Sequence, residues 1–168
     1  PDEVRAVKAS LPCPEFRATE AFRADYAGPD DVFLWDACRK VRGDLLPPRD
    51  QGNIGSCVAF ATSSAVEHLI CVQIAGGARE EYCDLAQEVI YGGSRVEIGG
   101  GRVRGDGSTG AWAAKFVQDY GVLARGVYGR FDLTRYDVSR CREFGRAGVP
   151  DELEPLAKQH PVRAVASV

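Results

Sequence analysis

In Gln51-Gly52-Asn53-Ile54-Gly55-Ser56-Cys57-Val58-Ala59-Phe60, a cysteine follows a Gly-Ser pair and opens a run of apolar and small residues at helical spacing. The run continues through Ala61, Ala65, Leu69 and Val72 to about Ile74. Ser56 is placed to cap its start and Gly76-Gly77 to end it, so a largely buried helix is expected. A cysteine in the first turn of such a helix sits at the positive end of aligned peptide dipoles, beside N–H groups with no intrahelical partner. Both features favour a thiolate over a thiol. Gly55 and Ser56 permit a tight entry that leaves backbone open to an incoming carbonyl. The Cys57 N–H is then placed to donate to the oxyanion formed when a thiolate attacks. Gln51, six residues upstream across a glycine-containing turn, carries a neutral amide suited to be the second donor. Cys57 and Gln51 are therefore the candidate catalytic pair, with Gly55 and Ser56 as candidate substrate-binding residues.

Downstream, Leu85, Ala86, Val89 and Ile90 predict a second helix from about Cys83 to Tyr91, stopped by Gly92-Gly93. Residues 92–110 are crowded with glycine and include Asp106 and Ser108, which argues for a loop with unusual backbone angles or a close approach to something else. Trp112, Phe116, Val117 and Tyr120 place a third helix over about Thr109 to Tyr120, with Gly121 as its stop. Val122-Leu123 and Val127-Tyr128 are short extended candidates. Pro150-Asp151-Glu152-Leu153 opens a short helix that Pro161 ends, and Val162–Val168 alternates weakly, like a strand beginning. Residues 1 to about 50, rich in proline and with one apolar cluster at Val32-Phe33-Leu34-Trp35, read as an extended, wrapping arm. Trp35 and Trp112 are expected to be core aromatics.

The chain has 168 residues, enough for one core and one domain, and a formal net charge of −3 with both signs interspersed. No nucleic-acid footprint follows. No apolar stretch approaches the roughly 18–20 residues needed to span a bilayer, so no membrane partner is expected. The sequence begins at Pro1 and contains no methionine, and is expected to be a piece of something longer.

The string Gln-Gly-x-x-Gly-Ser-Cys-x-Ala-Phe over residues 51–60 resembles the active-site segment of the papain and cathepsin family of cysteine peptidases. Gly105-Asp106-Gly107-Ser108-Thr109-Gly110 and the helix after it resemble that family's glycine-rich loop and following helix. The resemblance implies an α+β, papain-like fold, of which this chain holds mainly the helical left subdomain and the start of the β subdomain. It also implies that Gly107 and Ser108 line a groove for a peptide or protein substrate, with no cofactor and no metal. Residues 45–168 are then the nucleophile-bearing half of a peptidase domain, and residues 1–44 an N-terminal arm that the resemblance does not reach.

Three departures qualify it. The family has a cysteine three residues before the nucleophile and an aromatic residue after it, where this chain has Ile54 and Val58. One familiar disulfide is thus absent, which points towards bacterial or phage members and towards a reducing cytoplasmic or virion-associated setting over a secreted one. The partner His and Asn belong about 130–150 residues beyond the cysteine, past Val168. His68 stands three turns along the same helix, roughly 16 Å away, and His160 falls at the expected end of a short helix. The chain alone is therefore expected to be inactive, with His and Asn supplied by a C-terminal segment or a second chain. The alternative is a catalytically inactive module that uses its groove to bind a peptide in a virion or assembly.

Overall fold

The computed structural model describes residues 2–10, 33–163 and 165. Its elements are α1 (Asp2–Ser10), α2 (Leu34–Arg42), α3 (Cys57–Ala75) and α4 (Gln87–Gly93), the last running directly into a π-helical turn at Ser94–Ile98. Then come α5 (Gly110–Asp119), β1 (Val127–Tyr128), β2 (Phe131–Asp132), α6 (Val138–Ala147) and α7 (Glu154–Ala157). The two strands pair antiparallel, with Val127 opposite Asp132 and Tyr128 opposite Phe131. A mixed helical chain with one small two-stranded sheet is compatible with the α+β class.

The centre of the core is α4, all seven of whose residues are buried. Gly92-Gly93 does not stop this helix as the sequence predicted, and the glycines serve packing instead. A Cβ on Gly92 would lie 2.8 Å from Phe144 Cβ of α6, and one on Gly93 would fall inside the Phe116 ring of α5. Two bare positions thus let α4 lie against the Phe144 backbone of α6 on one side and the Phe116 ring of α5 on the other. Gly93→Ala is expected to cost at least about 3 kcal/mol, because Phe116 is itself fully buried and cannot swing away. Urea unfolding measures it.

Other boundaries also moved. The second helix starts at Gln87 rather than Cys83, since Leu85 and Ala86 are used in extended pairing with the chain near Leu123 and Ala124. Val122-Leu123 is buried but lies outside the sheet: the Val122 N–H donates to the His160 carbonyl at 3.0 Å. Residues 161–163 and 165 form no strand, and residues 164 and 166–168 of the expected Val162–Val168 strand lie outside the described residues. The extended arm is corrected by α1 and α2 at its two ends, while 11–32 likewise lie outside the described residues. Trp35 is about half exposed, stacked on Phe33 at 4.6 Å, whereas Trp112 is buried. Helix α5 matches its expected span, with Gly121 at φ 80 after its end, and the structure adds a cap, Thr109 Oγ1 accepting from the Trp112 N–H.

Helix α3 is the larger surprise. The apolar set read from the sequence is not its buried face, for Ala61, Ala65, Leu69 and Val72 are all exposed. The buried residues are Ala59, Ser63, Val66, Glu67 and Cys71. With mean hydropathy 1.5 over 19 residues, α3 also meets the length and composition of a membrane span, which the sequence reading denied. Glu67 and His68 at its middle interrupt the apolar run while leaving the average high.

Buried carboxylates tie the helices together. Glu67 pairs with Arg49 Nη1 at 2.6 Å and accepts the Leu85 N–H at 2.8 Å. Glu88 in α4 accepts the Asp137 N–H at 3.0 Å and pairs with Arg125 at 3.2 Å. Glu97 differs: its Oε1 accepts the Val149 N–H at 2.9 Å, but its buried Oε2 has no partner among the described residues. Burial holds this carboxyl above the usual range; the Val149 N–H opposes that only in part, and the Glu154 and Asp151 carboxylates add to it. Because the folded state keeps the proton longer than the unfolded one, stability is lost as pH rises from the ordinary carboxylate value through the folded one. Glu97→Gln removes that loss. Urea unfolding at pH 4.5 and pH 7 should show the variant gaining on the wild type as pH rises.

Candidate active site

The segment that leads into α3 is a compact turn. Asp50 Oδ1 accepts the Gly52 N–H at 2.8 Å, Gly52 takes φ 67, and the Gln51 amide folds back to donate to the Ile54 carbonyl at 2.9 Å. An amide nitrogen has two hydrogens, so one remains for an acceptor outside the turn. Cys57 is exposed as the first residue of the 19-residue helix α3. The first backbone N–H groups bonded to Ser56 O are those of Ala59 and Phe60, and the Cys57 N–H has no partner among the described residues. Ser56 does not cap the helix with its side chain, contrary to expectation. Its hydroxyl is fully buried and meets the Tyr136 hydroxyl at 3.2 Å.

The glycine-rich loop comes to this segment. A Cβ on Gly55 would lie 3.1 Å from both Asp106 Cβ and the Gly107 nitrogen, so the two strands of backbone touch because Gly55 has no side chain. Gly107, at φ 110, is fixed from below: its N–H donates to the Tyr91 hydroxyl at 3.0 Å and its carbonyl accepts from Arg95 Nη1. Arg95 also donates to the carbonyls of Val103 at 3.0 Å and Gly145 at 2.8 Å. One nearly buried guanidinium therefore joins the loop, the π-helical turn and α6. Ser108 Oγ is buried and has no hydrogen-bond partner among the described residues.

Of the predicted residues, Gly55 adjoins Gly107, Ser56 and Cys57 follow it in the chain, and Gln51 folds back within the turn before them. The histidines stay apart, His68 with Nδ1 on the Ser64 carbonyl at 2.7 Å along α3, and His160 exposed after α7. A cleft of about 380 Å³ lies one turn along α3, between Leu46–Arg49 and Phe60, Ala61, Ser64 and His68, and Cys57 does not line it.

Sequence reasoning missed the residues that hold the site. It predicted nothing over α6, whose polar sequence buries only Cys141, Phe144 and Gly145. Yet from this part of the chain Tyr136 donates to the Gln51 carbonyl at 3.0 Å, and Arg142 donates to the Asn53 carbonyl at 2.9 Å. The available signal was Asp137, which accepts the Arg140 N–H at 2.7 Å as a helix N-cap. Burial pushes the Tyr136 phenol up, so it remains a neutral donor near pH 7. Tyr136→Phe deprives Gln51 O and the buried Ser56 hydroxyl of a partner and is expected to lower stability by about 1 kcal/mol, read from the urea midpoint.

An exposed cysteine at a helix start, with a spare amide in the turn before it, suits nucleophilic attack on a carbonyl. The chain is 26% identical to Cysteine proteinase 1 of Entamoeba histolytica over 121 residues. The match covers 68% of this chain and 37% of that relative, so the chain spans little more than a third of its relative's length. No family model matches the chain, and no solved structure matches it. At the level of the family the similarity supports a cysteine peptidase. It carries nothing towards bacterial or phage relatives.

Proposed function

We propose that residues 45–168 are the nucleophile-bearing half of a papain-like cysteine peptidase domain, preceded by residues 1–44 as an arm. The observation that carries this is Cys57, exposed at the first position of α3 with an N–H that has no partner among the described residues, six residues after a Gln51 whose amide folds back within the preceding turn. In this reading the Cys57 thiolate attacks the carbonyl carbon of a peptide, forming an S–C bond, while the Cys57 N–H and the spare Gln51 hydrogen hold the oxyanion. The C–N bond then breaks, the amine leaves with a proton from a histidine, and water hydrolyses the thioester. That histidine and its asparagine come from a C-terminal segment or another chain, since His68 and His160 are held elsewhere. In this reading the segment of Gly107 and Ser108, packed against Gly55, and the Gly55-Ser56 segment line a groove beside Cys57 that takes the substrate in extended form.

The place of the two histidines also favours a second reading, a non-catalytic module that binds a peptide in the same groove. Treating the full-length protein with an epoxide-type thiol-protease inhibitor decides between them. A single adduct at Cys57 is expected. An unmodified Cys57 in a protein that does carry the His and Asn would overturn the peptidase reading and leave the binding module.

A further inference from the structure

Three contacts converge on Tyr136, a half-buried residue two positions before α6. Its hydroxyl donates to the Gln51 carbonyl at 3.0 Å and stands 3.2 Å from Ser56 Oγ. Its ring meets the Phe60 ring edge-on, with centroids 4.9 Å apart and planes at 79°. Phe60 lies in the first turn of α3, so Tyr136 touches the chain on both sides of Cys57 as well as the turn that carries the Gln51 amide. The direction of the hydrogen bonds follows from the protons available. A carbonyl only accepts, so the one phenolic proton goes to Gln51 O, and the Ser56 hydroxyl donates to the phenol oxygen. Tyr136 is itself held from the core: the Asp137 N–H donates to fully buried Glu88 of α4 at 3.0 Å, and Glu88 pairs with Arg125 at 3.2 Å.

We propose that Tyr136 is a positioning residue that sets the spacing of the two oxyanion donors, the Gln51 amide and the Cys57 N–H. This role rests on the peptidase reading of Cys57. The two donors belong to different pieces of backbone, a turn and a helix start. Within the turn, Gln51 is fixed by its bond to the Ile54 carbonyl at 2.9 Å, and the neighbouring Asn53 carbonyl accepts from Arg142 at 2.9 Å. Neither bond touches Ser56 or α3. Tyr136 bridges the pieces, with one hydrogen bond to the turn, one to Ser56 and a ring against Phe60. An oxyanion hole acts only when its donors already stand at hydrogen-bond distance from the point where charge develops. Without the phenolic oxygen the turn and the helix start lose their common partner, while the Phe60 contact and the Arg142 bond keep both in place as folded segments. A misplacement of about 1 Å costs on the order of 10²-fold in rate. The Cys57 thiolate, which depends on the helix start, is unaffected.

The test compares the full-length wild type with its Tyr136→Phe variant, in kcat and KM for a fluorogenic peptide and in the rate at which iodoacetamide alkylates Cys57, read by peptide mass. Alkylation displaces iodide from a saturated carbon and builds no oxyanion, so it reads only the thiolate and its exposure. The expected result is a kcat lower by roughly 10- to 100-fold, with KM and the alkylation rate within about threefold of wild type. In a Gln51→Ala background one donor is gone and no spacing is left to set, so Tyr136→Phe then lowers kcat by less than about threefold. A loss undiminished in that background, or one shared equally by turnover and alkylation, overturns the inference. So does a Tyr136→Phe kcat within about threefold of wild type. A wild-type protein that carries His and Asn yet turns over no peptide overturns the peptidase reading itself, an outcome seen before any variant is compared.

Discussion

Cys57→Ala is expected to reduce peptide turnover by the full-length protein roughly 10⁴-fold or more, the scale on which loss of a nucleophile acts in enzymes of this chemical type. The size follows from the arrangement at the start of α3. Cys57 is exposed while the elements that hold its surroundings are buried: Ser56 beneath it, Tyr91 and Arg95 beneath Gly107, and α4 beneath both. Among the described residues no other thiol is exposed: Cys38, Cys71 and Cys141 are buried and Cys83 is half-buried, and burial pushes Cys83 up, Cys71 to about 12 and Cys141 to about 11. Rates measured with a fluorogenic peptide, alongside the far-ultraviolet circular dichroism of the variant, separate lost chemistry from lost fold. Turnover within tenfold of wild type would mean that the nucleophile is another residue.

Glu67→Ala is expected to be the most damaging single change to stability away from the glycines, at about 3 kcal/mol. Glu67 is wholly buried, and its removal takes the partner from Arg49 Nη1 and orphans the buried Leu85 N–H. Breaking a buried pair on one side typically costs about 3–5 kcal/mol. The lower end applies because Arg49 keeps a second contact with Asp84 at 2.7 Å. Asp84→Asn, by contrast, should cost under about 1 kcal/mol, since the Asp84 side chain is about half exposed and solvent already screens it. Urea midpoints for the two variants, with equal m values, give the comparison. A Glu67→Ala loss no larger than that of Asp84→Asn would show that the carboxylate is not what joins α3 to the chain at Arg49 and Leu85.

The legible part of this molecule was local. The start of α3 at Cys57, the start of α5 near Thr109 and its end at Gly121, and the Val127-Tyr128 strand all rest on short-range signals, which act over a few residues whatever surrounds them. The Gln51 turn is of the same kind, its Asp50, Gly52 and Ile54 contacts all falling within four residues. Where the sequence misled, a partner from far along the chain intervened. Gly92-Gly93 looks like a stop until α5 and α6 close on either side of it. The apolar stripe of α3 looks like a core face until Glu67 finds Arg49 and turns the opposite side inward.

The residues supporting the candidate site show the same division. Tyr136 and Arg142 reach the Gln51–Asn53 turn from more than eighty residues away, and Arg95 binds Gly107 and Gly145 together. None has a spacing or a neighbour in sequence that marks it, because a donor to a distant backbone carbonyl needs only reach. The sequence by itself determined the candidate nucleophile, the turn before it and the helix it opens, since those depend on local residue types and φ values set within one or two turns. Which face of α3 is buried, how Gly107 comes against Gly55 and what holds both were decided only by the tertiary structure, where buried charges must meet their partners and bare glycines allow backbones to touch.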